Sequence, residues 1–132
     1  MLRYLLDTNI CIYVIKHRPA QARERFNQHG PHLCTSSVVA AELYYGAARS
    51  GRPEHNLLQV ESFLARLDIL PFDENAAGHY GEIRADLARA GTPIGPYDLM
   101  IAAHARSRGL TVVTNNESEF TRVPGLLVEN WV

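Results

Sequence analysis

Five short apolar runs alternate with six longer stretches of helical periodicity along this 132-residue chain, and no other feature constrains its fold as strongly. An apolar run of about five residues is too short for a helix that buries one face, but it suits a strand covered on both sides. The strand candidates are 2–6, 32–36, 68–72, 110–114 and a weaker one at 126–131. Helical patterns occupy 8–16, 20–29, 37–50, 54–67, 74–90 and 97–108. Strand and helix in turn imply an α/β fold, a mainly parallel central sheet flanked by helices, with residues 1–132 forming one domain. The punctuation agrees. The Ser36-Ser37 pair and Asp73 suit helix N-caps, Pro53-Glu54 suits a first turn, and Gly91 and Gly109 suit helix stops.

Composition narrows the function classes. An apolar content of 46% and a charged content of 20% belong to a globular chain rather than a disordered one. The net charge of −1 exerts no global pull on nucleic acid or membrane. Within the positive charge, Lys16 is the one lysine among thirteen basic residues. Arginine's planar fork suits phosphate, although a genome rich in arginine codons produces the same bias. Cys11 and Cys34 show no metal-ligand or redox spacing and fall in apolar stretches, so they read as buried free thiols. The six histidines form no i, i+4 pair of the kind that binds zinc. No secretory leader and no run of eighteen apolar residues is seen, which leads to the expectation of a cytoplasmic protein without a membrane partner.

The chemistry rests on three acids. Asp7 ends the first apolar run, Glu42 interrupts the apolar face of the 37–50 helix, and Asp98 stands in the first turn of the helix opened by Pro96. Singly, Asp7 is an ordinary cap, and Asp98 is an ordinary acid at the positive end of a helix dipole. Glu42 is harder to explain locally. It shares an inward face with Val38, Val39 and Gly46, and nothing nearby in sequence pairs it. In open α/β sheets ligands bind beyond the carboxyl ends of the strands, where Asp7 and the Asn115-Asn116 pair both lie. Two carboxylates ~4 Å apart repel by roughly 4 kcal/mol at an effective dielectric near 20, so a gathered set implies a neutralising cation. Oxygen donors without sulfur or imidazole point to Mg²⁺, with Mn²⁺ as its substitute, and such a site suits phosphodiester hydrolysis.

Four segments then match a known pattern. Leu5-Leu6-Asp7-Thr8-Asn9, Ser36-Ser37-Val38-Val39-Ala40-Ala41-Glu42-Leu43, Tyr97-Asp98-Leu99-Met100-Ile101-Ala102 and Val113-Thr114-Asn115-Asn116-Glu117-Ser118-Glu119-Phe120 resemble the signatures of PIN-domain ribonucleases. Their order and coverage resemble the VapC toxins of type II toxin–antitoxin systems. The stretch from Arg89 to Asp98 and the ending Glu129-Asn130-Trp131 resemble the enteric group of these toxins. The resemblance implies a single PIN-like domain and a magnesium-dependent endoribonuclease that cleaves initiator tRNA in its anticodon stem-loop. It implies a homodimer, and a VapB-type antitoxin that covers the cleft in a toxin–antitoxin hetero-oligomer. It puts metal ligands on Asp7, Glu42 and Asp98 and adds Asn116 and Glu119 to the catalytic set. Asn116 departs from the family pattern, where an aspartate is frequent. Its amide oxygen or a water would then stand in, with Glu119 as an outer ligand.

Thr8, Asn9 and Thr114 flank the acids, either orienting them or serving ordinary turns. Ile10, Tyr13, Tyr44 and Tyr45 are candidate interface anchors or core residues. Arg84, Arg89, Arg106 and Arg108 are candidates to grip RNA phosphates, against the alternative of solvated helix faces. Asn116 also motivates a reading from another class, a degenerate PIN module that binds RNA or a partner without cleavage. A phospho-acceptor receiver is excluded because no lysine follows Lys16, and a haloacid-dehalogenase-type phosphatase because Asn9 breaks the Asp-x-Asp requirement.

Overall fold

The computed structural model describes residues 1–132. Five parallel strands form one sheet in the order β3-β2-β1-β4-β5, with β1 Tyr4–Leu6, β2 Leu33–Ser36, β3 Asp68–Leu70, β4 Thr111–Val113 and β5 Leu127–Glu129. All five lie inside the apolar runs of the sequence. The central strands β1 and β2 are buried throughout, as strands covered on both faces must be, whereas the edge strands β3 and β5 keep exposed positions. Successive crossovers carry the chain outward from β1 to β3, then back across the sheet to β4 and β5. The order therefore reverses between β1 and β4, which opens a crevice at their carboxyl ends.

The helices fall close to their expected ranges: α1 Thr8–Lys16, α2 Ala20–His29, α3 Ser37–Ala48, α4 Pro53–Leu64, α5 Glu74–Ala90 and α6 Pro96–Ser107. Local chemistry sets their ends. Asp7, Ser36 and Asp73 cap α1, α3 and α5, accepting from the backbone N–H of Ile10, Val38 and Ala76. Gly91 and Gly109 take φ of 71° and 65°, the left-handed region that glycine enters freely, and they turn the chain out of α5 and α6. Helix α3 stops at Ala48, earlier than its periodicity allows, because Ser50 Oγ donates to Ala47 O at 2.7 Å and in turn accepts from Asn56 Nδ2 at 2.8 Å. A one-turn helix, α7 Glu117–Phe120, was not expected from periodicity; it is pinned by Phe120, which is fully buried.

The core is one cluster of thirty buried residues on both faces of the sheet. Cys11 and Cys34 lie within it as free thiols, and burial pushes the Cys34 thiol up to about 12. Both are therefore inert. No helix is long and apolar enough to cross a membrane.

Candidate metal and phosphodiester site

Each acid is delivered to the β1–β4 crevice by a different element. Asp7 follows β1 directly. Its N–H donates to Val113 O at 3.0 Å, continuing the β1–β4 pairing and setting the acid next to Thr114. Asp7 Oδ1 accepts from Ile10 N–H at 2.9 Å, so the residue does serve as a cap. It is nevertheless only 3% exposed, which a cap alone does not require. Burial pushes its carboxyl up from 3.8 to about 6; the Thr114 hydroxyl and the Ile10 amide oppose the rise, and the charge of Glu42 adds to it.

Glu42 enters from α3, half-buried as its inward face demands. It has a partner that sequence proximity could not reveal: Thr8 Oγ1 donates to Glu42 Oε1 at 2.5 Å across 34 positions. Thr8 thus orients an acid from the first turn of the helix that Asp7 caps. Thr114, fully buried, accepts from Asn116 N–H at 2.9 Å and faces Asp7, so it too orients the site. Asn9 is exposed, and it reaches Asp7 through its backbone N–H rather than its side chain.

Asp98, Asn116 and Glu119 make the opposite wall. Asp98 lies in the first turn of α6, and Asn116 precedes α7, which carries Glu119. Asn116 Nδ2 donates to Asp98 Oδ2 at 3.4 Å and more closely to Glu119 Oε2. The amide oxygen, expected to face the cleft, instead accepts from Ser118 Oγ at 3.4 Å. Between two carboxylates a donor is worth more than a third acceptor, so this orientation follows from charge. Burial pushes the Asp98 carboxyl up to about 7; a hydrogen bond with Glu119 and the charges of Glu119 and Asp7 add to the rise. Glu119 moves the opposite way, because Asp98 donates to it. Of these two acids Asp98 is therefore the one that holds a proton more tightly.

The electrostatic links run Glu42 to Asp7, Asp7 to Asp98, and Asp98 to Glu119. The acids share one rim, yet no three histidine, cysteine or carboxylate side chains close to metal-ligating distance by themselves. Mg²⁺ asks for no such cage, since it commonly uses one or two carboxylates and keeps waters. The donor set fits a hard divalent cation in two respects. Every donor is oxygen, and burial together with neighbouring carboxylates raises Asp7 to about 6 and Asp98 to about 7, a pair of acids that a cation would ionise fully.

The remaining candidates divide between the two readings given for them. Ile10 is wholly buried core, not an interface anchor. Tyr13 is half-buried, its hydroxyl accepting from Asn115 Nδ2 at 2.8 Å, while Tyr44 and Tyr45 are exposed. Arg106 is not free to grip RNA, because its guanidinium donates to His79 Nδ1, Pro124 O and Glu82 Oε1 at 2.8–2.9 Å. Arg89 pairs with Asp86 at 2.5 Å, and Arg84 donates to the Tyr80 hydroxyl. Arg106 and Arg108 also sit about 12 Å or more along α6 from Asp98, toward the other end of the helix. A buried contact missed in the sequence joins the two acid-bearing helices: His104 Nδ1 of α6 meets Ser36 Oγ, the cap of α3, at 2.7 Å.

The chain as a whole is similar to known proteins. The PIN-domain family model matches residues 4–126. The tRNA(fMet)-specific endonuclease VapC of Shigella flexneri is 57% identical over 131 residues, covering 99% of each chain. Ribonuclease VapC2 of Haemophilus influenzae is 54% identical over 100% of both chains. Among solved structures, the crystal structure of DNA-bound VapBC from Salmonella typhimurium superposes with a TM-score of 0.96 at 56% identity over all of both chains. VapBC2 from Rickettsia felis, bound to a DNA fragment from its promoter, gives 0.93 at 40% identity over 99% of this chain and 100% of that one.

Proposed function

The chain belongs to the PIN-domain family and is a ribonuclease of the VapC type, and we propose that it is a toxin that cuts initiator tRNA in its anticodon stem-loop, with Mg²⁺ as the working ion. The observation that carries this reading is the convergence of Asp7, Glu42, Asp98 and Glu119 from four elements onto the β1–β4 crevice, with the Asp7 and Asp98 carboxyls raised to about 6 and about 7. The relatives' names supply the substrate, since two of them are tRNA(fMet)-specific endonucleases.

PIN-domain nucleases generally use divalent metal ions. In this chain Asp7, Glu42 and Asp98 would hold the ion, with Glu119 beside them. When bound, it supplies positive charge that ionises the acids, activates water near neutral pH and stabilises charge developing on the phosphate. The remaining work falls to the protein. Thr8 orients Glu42 through the bond to its Oε1. The cap bond from Ile10 N–H holds Asp7 in one rotamer. Burial at the strand ends keeps bulk water from screening these charges. Asp98, whose carboxyl is raised to about 7 beside Glu119, would give up its proton on holding the ion.

The structural relatives are toxin–antitoxin complexes, and a VapB-type antitoxin is the partner of this chain as well. Exposed Tyr44 and Tyr45, on the helix that carries Glu42, are the anchors we assign to a protein interface, whether with the antitoxin or with a second copy in a homodimer. Asn116 favours one competing reading, a module that binds RNA or a partner without cutting. Glu119, three residues on and in contact with the Asn116 amide, restores the acid that the substitution removes.

Purified chain should cut initiator tRNA at one position with Mg²⁺ or Mn²⁺ and not in chelator. Asp7→Asn and Asp98→Asn should each abolish the cut. Undiminished cleavage in either variant would overturn the reading, and tRNA binding without turnover under any divalent ion would favour the non-cutting module.

A further inference from the structure

Glu42 also lines a positively charged channel beside the site. A cavity of about 580 Å³ between α1, α3 and α4 shares the lining residues Ile15 and Gln59 with a second of about 200 Å³, so the two adjoin at the α1–α4 junction. Glu42 lines the first and Arg66 the second. The lining carries Lys16, Arg49, Arg23 and Arg66, with His17 and His55 among them, against Glu42 as its one acid. In a chain of net charge −1 this is a local segregation of charge.

None of the four cations is neutralised. The ion pairs of the molecule are Arg25–Glu129, Arg89–Asp86 and Arg106–Glu82, all elsewhere. Arg23 and Arg66 are tethered rather than paired. Arg23 Nη1 donates to Val14 O at 3.2 Å. Arg66 Nη2 donates to Asn27 Oδ1 at 2.9 Å, its guanidinium 4.7 Å from the centre of the Phe26 ring. A guanidinium has five N–H donors, so a tether through one of them positions the fork and leaves the others for an anion.

We infer that this channel is the track of the RNA backbone flanking the scissile bond, with phosphates held by Lys16 and Arg49, about 10–12 Å along α1 and α3 from Thr8 and Glu42, and by Arg23 and Arg66 along the second cavity. The inference rests on the nuclease reading, and it locates recognition away from the cut. Phosphate contacts at a distance fix the register of a folded RNA without reading its bases. Of the arginines expected from sequence to do this, Arg89 and Arg106 are paired with Asp86 and Glu82, and Arg108 stands past the far end of α6 from Asp98, whereas the channel cations pair with no acid. An acidic peptide is the rival occupant. RNA is favoured because Glu42, one of the rim acids, lines the first cavity, and a phosphodiester must lie at that rim for hydrolysis.

The test measures binding of labelled initiator tRNA to the full chain by fluorescence anisotropy over a range of salt, in chelator so that nothing is cut. Arg23→Gln/Arg66→Gln should weaken binding about tenfold or more, and the plot of log affinity against log salt should flatten by about one per charge removed. Lys16→Gln, on an exposed side chain at the end of α1, should flatten the slope by about one with no effect on melting temperature. In a parallel cleavage assay with Mg²⁺, the double variant should lose on KM rather than kcat, and less on a short single-stranded oligonucleotide than on whole tRNA. Unaltered affinity and slope in both variants would overturn the channel assignment while leaving the nuclease reading intact. Loss of co-purifying antitoxin with tRNA affinity retained would give the channel to a peptide. Failure of the wild-type chain to cut any RNA would instead strike the nuclease reading alone.

Discussion

Replacing Asp7 by asparagine removes a charge from the most buried acid of the molecule while keeping its shape and its cap, since asparagine caps helices as well as aspartate does. The folded carboxyl titrates at about 6 against 3.8 in the unfolded reference. Its pKa is raised by folding, so the native state binds the proton more tightly and is penalised wherever the group must ionise. That penalty is absent at low pH, grows as pH rises from 3.8 toward 6, and is complete above. A rise of about two pK units corresponds to roughly 3 kcal/mol. With Asp7 only 3% exposed, solvent screening does not reduce the figure appreciably. Asp7→Asn should therefore stabilise the metal-free protein by about 3 kcal/mol at pH 8 and by about half as much at pH 5. For a domain of this size the pH 8 gain is a rise in Tm of about 10 °C. Urea and thermal melts in chelator at the two pH values measure it directly. Magnesium should then narrow or reverse the gap, because binding stabilises the wild type more than the variant. A variant that melts at or below the wild type at pH 8 in chelator, or a difference that ignores pH, refutes the claim of a buried uncompensated charge.

Affinity for the divalent ion should rise with pH through the range 6 to 7, as the protons on Asp7 and Asp98 are displaced; calorimetry in buffers of different ionisation enthalpy would count them, and zero proton release would contradict the assignment. Thr8→Val removes the hydroxyl that orients Glu42, and metal affinity or kcat should fall by about 10- to 100-fold with the fold intact by circular dichroism. His104 contributes a pH dependence opposite in sign to that of Asp7. Burial lowers its pKa below 6.5, so stability is complete above about 6.5 and is lost as pH falls toward the folded value. His104→Gln should flatten that acid limb of the stability profile, measured by urea midpoints between pH 5 and 8.

Much of the fold was legible because the signals are local. The caps at Ser36 and Asp73, the glycine stops at 91 and 109, and the apolar runs of β1 and β4 each depend on residues within a turn or two. Helix α7 was not legible, since four residues carry no period and their order comes from burying Phe120. Among the site residues, Asp7, Glu42 and Asp98 stood out as acids in awkward places, and the fold brings them to one rim with Glu119. The partners stayed hidden. Thr8 meets Glu42 across 34 positions and His104 meets Ser36 across 68, distances over which neither spacing nor propensity speaks. The arginines misled for the same reason. Arg106 looks free in the sequence and is locked by Glu82, His79 and Pro124 in space.

The sequence by itself determined which elements form, in which order, and which acids end up at strand and helix termini, because hydrogen-bond periodicity and capping act over a few residues. Only the tertiary structure decided which carboxyl keeps its proton, which threonine holds which acid and which cations stay unpaired. Those outcomes follow from burial and from Coulomb interactions between groups far apart along the chain, and neither exists until the sheet has assembled.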